Sequence, residues 1–405
     1  MSLAAPAPSP WLIRLVMVGI VLAALNLRPA ITSLGALLAD VRTGLGMSGS
    51  TAGLLTSVPP LCFAIFGVTA PRLARRWGPA AVICAGMVAI ATGLLVRPFL
   101  GAAAGFLAAS AVALMGIAVS NVLLPVVIKR WFPDRIGPMT GLYSMALAVG
   151  TAGAAAATVP VTRALGGSWR PGLALWAVLA VIAALAWIPL VRDRSAARAK
   201  AAAAAQDPAG AIRITRSRTA WALAVFFGLQ ATSAYIVMGW LPQIYRDAGV
   251  PASTAGVLLA VTMGLGIPLS FILPNVAARL TNQAPLAVGL GLCGLVSFAG
   301  LYLAPAAGAW VWTILLGVSM CTFPLVLTLI GMRARTGAGV VRLSAFVQST
   351  GYLISIPGPL LVGVLYQHDG GWEVPLLFMA GLMVTQIVLG FFAGRNRVVE
   401  DECQG

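Results

Sequence analysis

One arginine in this sequence stands inside an apolar run, where a charged side chain needs a specific partner. Arg28 lies 17 residues after Trp11 and ten before Leu38, distances of about 26 Å and about 15 Å along a helix. An arginine at that depth in a bilayer costs about 2.5–3.5 kcal/mol on insertion scales. None of the ten acidic residues lies inside an apolar run. We therefore predict that the guanidinium binds an anionic or electron-rich ligand.

The alternative role for Arg28 is structural. Its side chain could extend toward the membrane surface or pair with Asp40. Asp40 is twelve residues further along the chain, about 18 Å on a straight helix, which is too far for contact unless the helix breaks. We therefore favour the ligand-binding role.

Further candidate binding residues are polar or aromatic side chains in other apolar runs. Together with Arg28, the predicted substrate-binding residues are Asn26, Asn121, Tyr143, Gln230, Tyr235, Gln348 and Tyr352. The seventh run also offers Thr232, Ser233 and Trp240. Each could instead hydrogen-bond a neighbouring helix, as polar groups in membranes often do. The second half of the chain has no embedded arginine, so we expect the first half to supply the charge and the second half hydrogen bonds or ring faces.

The composition indicates what kind of element positions these residues. The chain is 9% charged and 60% hydrophobic, whereas a soluble domain is about a quarter charged. So few charges cannot cover a water-soluble surface, so most of the chain must face lipid or other helices. The five cysteines show no CxxC spacing, so we predict no disulfide framework, no metal site and no cofactor.

The fold class that follows is an all-α membrane protein with twelve spans. The apolar runs fall at 11–38, 50–70, 80–97, 102–128, 138–163, 170–191, 220–245, 252–278, 285–304, 308–331, 342–366 and 374–394. We divide the chain into a six-helix half (1–191), a basic linker (192–219), a second six-helix half (220–394) and a tail (395–405). The first run continues past any plausible cleavage point, so we predict a retained span rather than a signal peptide.

The basic residues predict the orientation. Of the 26 lysines and arginines, we assign 20 to the side of the N-terminus, and Arg28 lies within a span. The other five are assigned to the opposite side: Arg42, Arg97, Arg163, Arg170 and Arg246. This bias fits the positive-inside rule and predicts an inner-membrane protein with both termini in the cytoplasm. The net charge of +16 is then a topology signal, and we expect the lipid bilayer and a small solute as partners, no nucleic acid, and a functional monomer.

An internal repeat relates the two halves. Ser50-Thr51-Ala52-Gly53 recurs as Ser253-Thr254-Ala255-Gly256, an offset of 203 residues, and Trp169 meets Trp372 at the same offset. Parallel six-helix halves related by an axis along the membrane normal are the arrangement of major facilitator transporters, in which ligands bind between the halves near the midplane.

Four segments resemble one family within that superfamily. They are NLRPAITSLG at 26–35, APRLARR at 70–76, RWFPDR at 130–135 and QSTGY at 348–352. These segments resemble the cyanate permease and 2-nitroimidazole transporter (CynX/NimT) family, and the resemblance covers the whole chain. It implies a permease for a small anionic or electron-rich solute that works by alternating access.

One segment departs from the superfamily pattern. The loop after the second span ordinarily carries an acidic residue near a DRxGR pattern. Here residues 67–78 contain no acid, and Ala74 stands in that stretch. A gating salt bridge that uses this acid cannot be carried over to this chain.

Several other functions remain to be weighed. The only histidine, His368, lies outside the predicted spans, and no span holds a carboxylate, which argues against proton-coupled export of cations. A major facilitator efflux pump for neutral or anionic drugs stays open as the alternative, as do facilitated diffusion, anion exchange and proton cotransport. An intramembrane enzyme or a channel is disfavoured, because the sequence has no HExxH or GxSxG motif and no re-entrant filter.

Overall fold

The computed structural model describes residues 10–132, 135–191, 214–335 and 337–403 as a bundle of α-helices. Within these residues, twelve spans are long and apolar enough to cross a membrane, which confirms the predicted number. Span 7 begins at Arg218, two residues before the predicted 220. Residues 192–213 of the predicted linker lie outside the described part of the chain.

The first half contains spans 1 to 6. Span 1 consists of α1 (Pro10–Asn26) and α2 (Pro29–Ala36), and the short α3 (Leu38–Leu45) follows it. Spans 2 to 5 are α4 (Gly49–Trp77), α5 (Pro79–Val96), α6 (Ala103–Trp131) and α7 (Ile136–Ala164). Span 6 consists of α8 (Trp169–Ala174) and α9 (Trp176–Val191).

The second half contains spans 7 to 12. Spans 7, 9 and 12 are α10 (Arg218–Asp247), α13 (Ala284–Leu303) and α18 (Glu373–Ala393). Each of the other three spans is divided into two helices. Span 8 consists of α11 (Ala252–Gly264) and α12 (Gly266–Arg279), and span 10 of α14 (Ala309–Met320) and α15 (Thr322–Met332). Span 11 consists of α16 (Gly337–Ser355) and α17 (Pro357–Asp369). A short terminal helix, α19 (Val399–Cys403), follows span 12.

Successive spans alternate in direction, so the bundle has two faces. We call the face that holds the start of span 1 and the end of span 6 the N-terminal face. The opposite face, which holds the ends of spans 1 and 7, is called the distal face. Under the orientation predicted from the basic residues, the N-terminal face is cytoplasmic.

Proline causes the break in span 1. Pro29 has no N–H group, so it cannot donate to the carbonyl of Leu25 and cannot continue α1. A proline is well suited to the first turn of a helix, and α2 begins at Pro29. Arg28 is thereby left in the short connection between the two helices, near the middle of the span.

The two halves meet mainly at the distal face, where helices approach closely. α2 packs on α10, α4 packs on α17, and α7 packs on α11. A Cβ on Gly53 would lie 2.8 Å from the Leu360 carbonyl oxygen, and one on Gly256 would lie 2.8 Å from that of Ala155. The glycines of the repeated Ser-Thr-Ala-Gly segment thus occupy equivalent positions, each where one half contacts the other.

Candidate functional site

The break in span 1 presents Arg28 to the centre of the bundle. Its backbone carbonyl accepts hydrogen bonds from the N–H groups of Ile31 (2.9 Å) and Thr32 (3.1 Å), which begin α2. The side chain is only half-buried, so part of its surface remains accessible.

Aromatic residues from both halves surround this guanidinium. Tyr235 of span 7, Tyr352 of span 11 and Tyr143 of span 5 lie within electrostatic range of it. Arg28 Cζ also lies 5.9 Å from the ring centroid of Phe63 in span 2. Four spans thus converge on the charge of span 1, two from the first half and two from the second.

Two of the tyrosines are held in place by further contacts. The Tyr352 ring stacks on Phe63, with centroids 5.0 Å apart and planes at 22°, and meets Phe227 edge-on at 5.2 Å. The Tyr143 hydroxyl donates to Asn121 Oδ1 at 2.6 Å. These contacts fix the rings without using the guanidinium.

Tyr235 differs from these two tyrosines. Its hydroxyl oxygen is buried beside the guanidinium and attracted by it, but the O–H group finds no acceptor. A buried donor without an acceptor costs about 1–3 kcal/mol. It is therefore available to a ligand placed between Tyr235 and Arg28.

The carboxylates that the structure describes lie away from Arg28. Within the described part of the chain Arg28 belongs to no ion pair, and Asp40 instead pairs with Arg246 of span 7 at 2.9 Å. The other described acidic residues lie at helix ends on one of the two faces: Asp247, Asp369, Glu373, Glu400, Asp401 and Glu402. Pairing of Arg28 with Asp40 is thus not what the structure shows.

The remaining predicted binding residues have separate hydrogen-bond partners. Asn26 donates to the Leu179 carbonyl of span 6, at 3.2 Å, and to the Leu22 carbonyl. Gln230 donates to the Met320 carbonyl and accepts from Gln386, so it joins spans 7, 10 and 12.

Other polar side chains of spans 7 and 11 also make their hydrogen bonds away from Arg28. Gln348 donates to Ser344 one turn away in its own helix, and Thr232 donates to the Gly228 carbonyl. Trp240 lies toward the distal face and donates to Thr56 of span 2 at 3.3 Å. Ser233 is buried in span 7. The structure thus brings Arg28, Tyr143, Asn121, Tyr235 and Tyr352 together, and it directs the amides of Asn26, Gln230 and Gln348 to other partners.

Sequence reasoning missed two residues near this centre. Phe63 follows Pro59 and Pro60 in span 2, and no pattern distinguishes it from a ring that faces lipid. Arg97 was assigned to the side opposite the N-terminus, which stays a prediction, but its burial was not foreseen: its side chain is 1% exposed. It lies at the end of span 3, where an apolar run stops, and only the packing of spans 1 and 4 reveals its burial.

The distal face is closed by polar contacts between the halves. Besides the Asp40–Arg246 ion pair, Ser50 Oγ donates to Gln367 Oε1 at 2.8 Å. The Trp240–Thr56 hydrogen bond lies beneath them. These contacts thus lie between Arg28 and the distal face. If the halves parted there, Arg28 would become accessible from the distal face.

A model of the Major Facilitator Superfamily matches residues 16–342 of the chain. The chain is 34% identical to "Uncharacterized transporter YycB" of Bacillus subtilis, over 96% of this chain and 94% of that protein. It is 32% identical to the 2-nitroimidazole transporter of Escherichia coli, over 95% and 97%. It is also 31% identical to the cyanate transport protein CynX of Escherichia coli, over 91% and 95%.

Solved structures of transporters share the fold. The nucleoside transporter NupG superposes with a TM-score of 0.75, covering 94% of this chain and 98% of that one at 14% identity. The inward open xylose transporter XylE from E. coli gives a TM-score of 0.74, covering 94% and 96% at 12% identity. At these identities the likeness concerns the arrangement of the helices.

Proposed function

The chain belongs to the major facilitator superfamily, and we propose that this transporter carries a small anionic or electron-rich solute by alternating access. The solute class is a cyanate-like anion or a nitroimidazole-like compound. The observation that carries this proposal is Arg28, a central guanidinium that no described carboxylate neutralises and that faces side chains from both halves.

The charge and the rings around Arg28 favour this class of solute. A guanidinium pairs with negative charge and also with the partial charge on a nitro oxygen, and it binds planar groups through two parallel N–H donors. The ring faces of Phe63 and Tyr352 offer apolar area to a flat molecule. The two relatives named for 2-nitroimidazole and cyanate transport carry solutes whose negative charge is delocalised, and we extend that class to this chain.

Alternating access is supported by the ion pair and the hydrogen bonds that join the halves at the distal face. In the proposed orientation the distal face is periplasmic, both termini are cytoplasmic, and the inner membrane surrounds a monomer. The structure then has its periplasmic side closed. A solute that bridges Arg28 of the first half and Tyr235 of the second would bind both halves at once, as rocking of one half against the other requires.

Uptake into proteoliposomes tests this role of Arg28. Cyanate and 2-nitroimidazole are the probes, measured on wild type, Arg28→Gln and Arg14→Gln. Loss of one partner of a buried charged pair costs about 2 kcal/mol or more, so Arg28→Gln should lower uptake about 30-fold or more. Arg14 lies in the same span but is exposed, so Arg14→Gln should transport like wild type.

Two results would contradict the proposal. Uptake by a folded Arg28→Gln variant at the wild-type rate would remove the central role of the guanidinium. Thermal stabilisation of the wild type by a neutral lipophilic drug, but by neither cyanate nor 2-nitroimidazole, would favour drug efflux instead. Monodisperse elution of each variant in size-exclusion chromatography establishes that it is folded.

A further inference from the structure

A second buried guanidinium lies on the distal side of Arg28. Arg97, at the end of span 3, is 1% exposed, and its Nη1 donates to the Ala30 carbonyl at 3.1 Å. Ala30 lies in α2, two residues after Arg28. The side chain therefore reaches from span 3 into the interior, beside the helix that begins at the break.

Most of the hydrogen-bonding capacity of Arg97 is unused. Its Nε and Nη2 atoms are buried and have no hydrogen-bond partner. Arg97 belongs to no ion pair among the described residues. The Ala30 carbonyl and the Phe106 ring, whose centroid lies 5.6 Å from Cζ, offset part of the charge. A buried, unpaired charge is costly, which points to a partner that the protein alone does not supply.

The two unused nitrogens define the shape of that partner. Nε and Nη2 form one edge of the guanidinium, the fork that binds two oxygens of a carboxylate in parallel. The Nη1 atom, used for Ala30, lies away from this edge. The free edge therefore fits a small oxyanion with two acceptor atoms side by side better than it fits a single-atom ion.

A cavity adjoins Arg97 and contains another unpartnered donor. The cavity has room for about one water molecule in this closed arrangement and is bounded by spans 1, 2, 4 and 7. Ser110 of span 4 lines it, is 1% exposed, and its hydroxyl has no partner. Ser110 lies one helical turn beyond Phe106 and one before Leu114, so the three side chains share a face of span 4.

The cavity lies at the contact between the halves. Gly239 of span 7 closes it from the second half, and Thr56, which accepts the Trp240 hydrogen bond, lines it from span 2. Parting of the halves at the distal face would remove the Gly239 wall. The cavity would then open to the distal side while Arg97 and Ser110 stay with the first half.

We propose that Arg97 and Ser110 form a second anion-binding site, which takes a small oxyanion on the path between the distal face and Arg28. The oxyanion receives two hydrogen bonds from the Nε–Nη2 edge and one from Ser110 Oγ. Only the order of the two sites along the path rests on the proposed function. The binding itself is independent of Arg28 and is tested in its absence.

The test uses nitrate as the probe and full-length protein in detergent, with chloride at equal ionic strength as the reference. Thermal stabilisation is titrated in Arg28→Gln, in Arg28→Gln with Arg97→Gln, and in Arg28→Gln with Arg163→Gln. Nitrate should saturably stabilise Arg28→Gln, alone or combined with Arg163→Gln. Adding Arg97→Gln should weaken the apparent affinity for nitrate at least tenfold. Arg163 is an exposed cation at the distal end of span 5, so its variant controls for binding to the surface.

Ser110→Ala in the Arg28→Gln background provides a test that keeps both the charge and the Ala30 hydrogen bond. Removal of one donor to an anion should weaken nitrate binding about tenfold. Equal nitrate stabilisation with and without Arg97 and Ser110, or none beyond that of chloride in Arg28→Gln, would overturn the second site. If uptake survives Arg28→Gln while the Arg97 dependence holds, the proposed function fails and the second site stands.

Discussion

At the scale of single residues, two buried tyrosines of span 7 differ in what their hydroxyls do. The Tyr245 hydroxyl lies 3.0 Å from the Ala309 carbonyl and 2.8 Å from Thr313 Oγ1, which ties span 7 to span 10. The Tyr235 hydroxyl, about three turns earlier, lies beside Arg28, and its O–H group has no acceptor. The first hydroxyl is satisfied by the fold, whereas the second is available to a ligand under the proposed function.

Replacing each of these tyrosines by phenylalanine should separate binding from stability. Tyr235→Phe removes a donor that the empty protein does not use, so its unfolding temperature should stay unchanged or rise slightly. Its affinity for cyanate or 2-nitroimidazole should fall about tenfold, the weight of one hydrogen bond to a charged group. Tyr245→Phe should lower the free energy of unfolding by about 1 kcal/mol and leave affinity unchanged. Thermal unfolding and ligand titration of both variants check this, and the reverse pattern would contradict the assignment.

The residue scale also shows what a sequence can reveal about the site. Arg28 could be found because a charge within an apolar run is costly wherever its helix faces. Tyr235 and Tyr352 were named among many polar candidates, but their convergence depends on the rotation of spans 7 and 11, which no local pattern determines. Phe63 and Arg97 were missed for the same reason, since their roles come from neighbours distant in sequence.

At the scale of elements, the terminal helix α19 is tied to the start of span 7. Glu402 accepts hydrogen bonds from Ser217 Oγ (2.6 Å), Thr219 N (3.0 Å) and Thr219 Oγ1 (2.8 Å). A carboxylate there also interacts favourably with the N-terminal end of the helix dipole. Burial raises the pKa of Glu402, but these hydrogen bonds and the charge of Arg397 outweigh it, and the pKa lies below its ordinary value.

A lowered pKa makes the docking of α19 depend on pH in a definite direction. The ionised carboxylate favours the docked state, so the stabilisation is full above the ordinary value of 4.5 and is lost as pH falls through the lower folded-state pKa. Hydrogen exchange at the amides of Thr219 and Ala220, measured from pH 7 down to pH 3, should show protection falling only in the acidic part of this range.

Two variants test the same contact at neutral pH. Glu402→Ala should release α19 and speed tryptic cleavage at exposed Arg397 about fivefold, the effect of about 1 kcal/mol for a lost helix cap. Asp401→Ala is the matched control, because Asp401 forms an exposed ion pair with Arg335 at 2.8 Å, a kind of pair worth little. Equal cleavage of the two variants would contradict a special role for Glu402.

The number of spans could be predicted from the sequence, but the break within span 1 could not. The twelve spans follow from hydropathy, since a segment of about 20 apolar residues is long enough to cross a bilayer. The break at Arg28 was not predicted, although Pro29 marks it, because proline is often tolerated inside membrane helices, as Pro242 is in α10. Where neighbouring helices satisfy the freed backbone groups, a proline leaves the helix continuous, and that support is a tertiary property.

At the scale of the whole molecule, one ion pair joins the halves at the distal face. Asp40 and Arg246 are joined by Oδ2–Nη1 and Oδ1–Nη2 contacts of 2.9 and 3.4 Å. Their side chains are 43% and 24% exposed, so the pair contributes about 1 kcal/mol at most. A contribution of this size can bias the equilibrium between closed and open distal faces without locking either state.

Exchanging the two charges should test this bias. Arg246→Asp places two carboxylates together and should open the distal face, which speeds maleimide labelling of a Ser57→Cys reporter about fivefold. Asp40→Arg combined with Arg246→Asp restores an attractive pair and should return labelling to the original rate. Ser57 is buried in span 2, so labelling at this position reports opening. A cysteine-free background ensures that maleimide reacts only with the reporter. Arg335→Asp, on the N-terminal face, should leave labelling unchanged, and failure of the exchange to rescue would contradict the role of the pair.

The charge of Arg28 would have an electrical consequence for a working carrier of anions. An empty Arg28 site would hold one uncompensated positive charge, whereas a bound monovalent anion would cancel it. A membrane potential does up to about 2.3 kcal/mol of work per elementary charge per 100 mV. The unloaded carrier would therefore move with one more positive charge than the loaded carrier, so voltage would act differently on the two halves of the cycle.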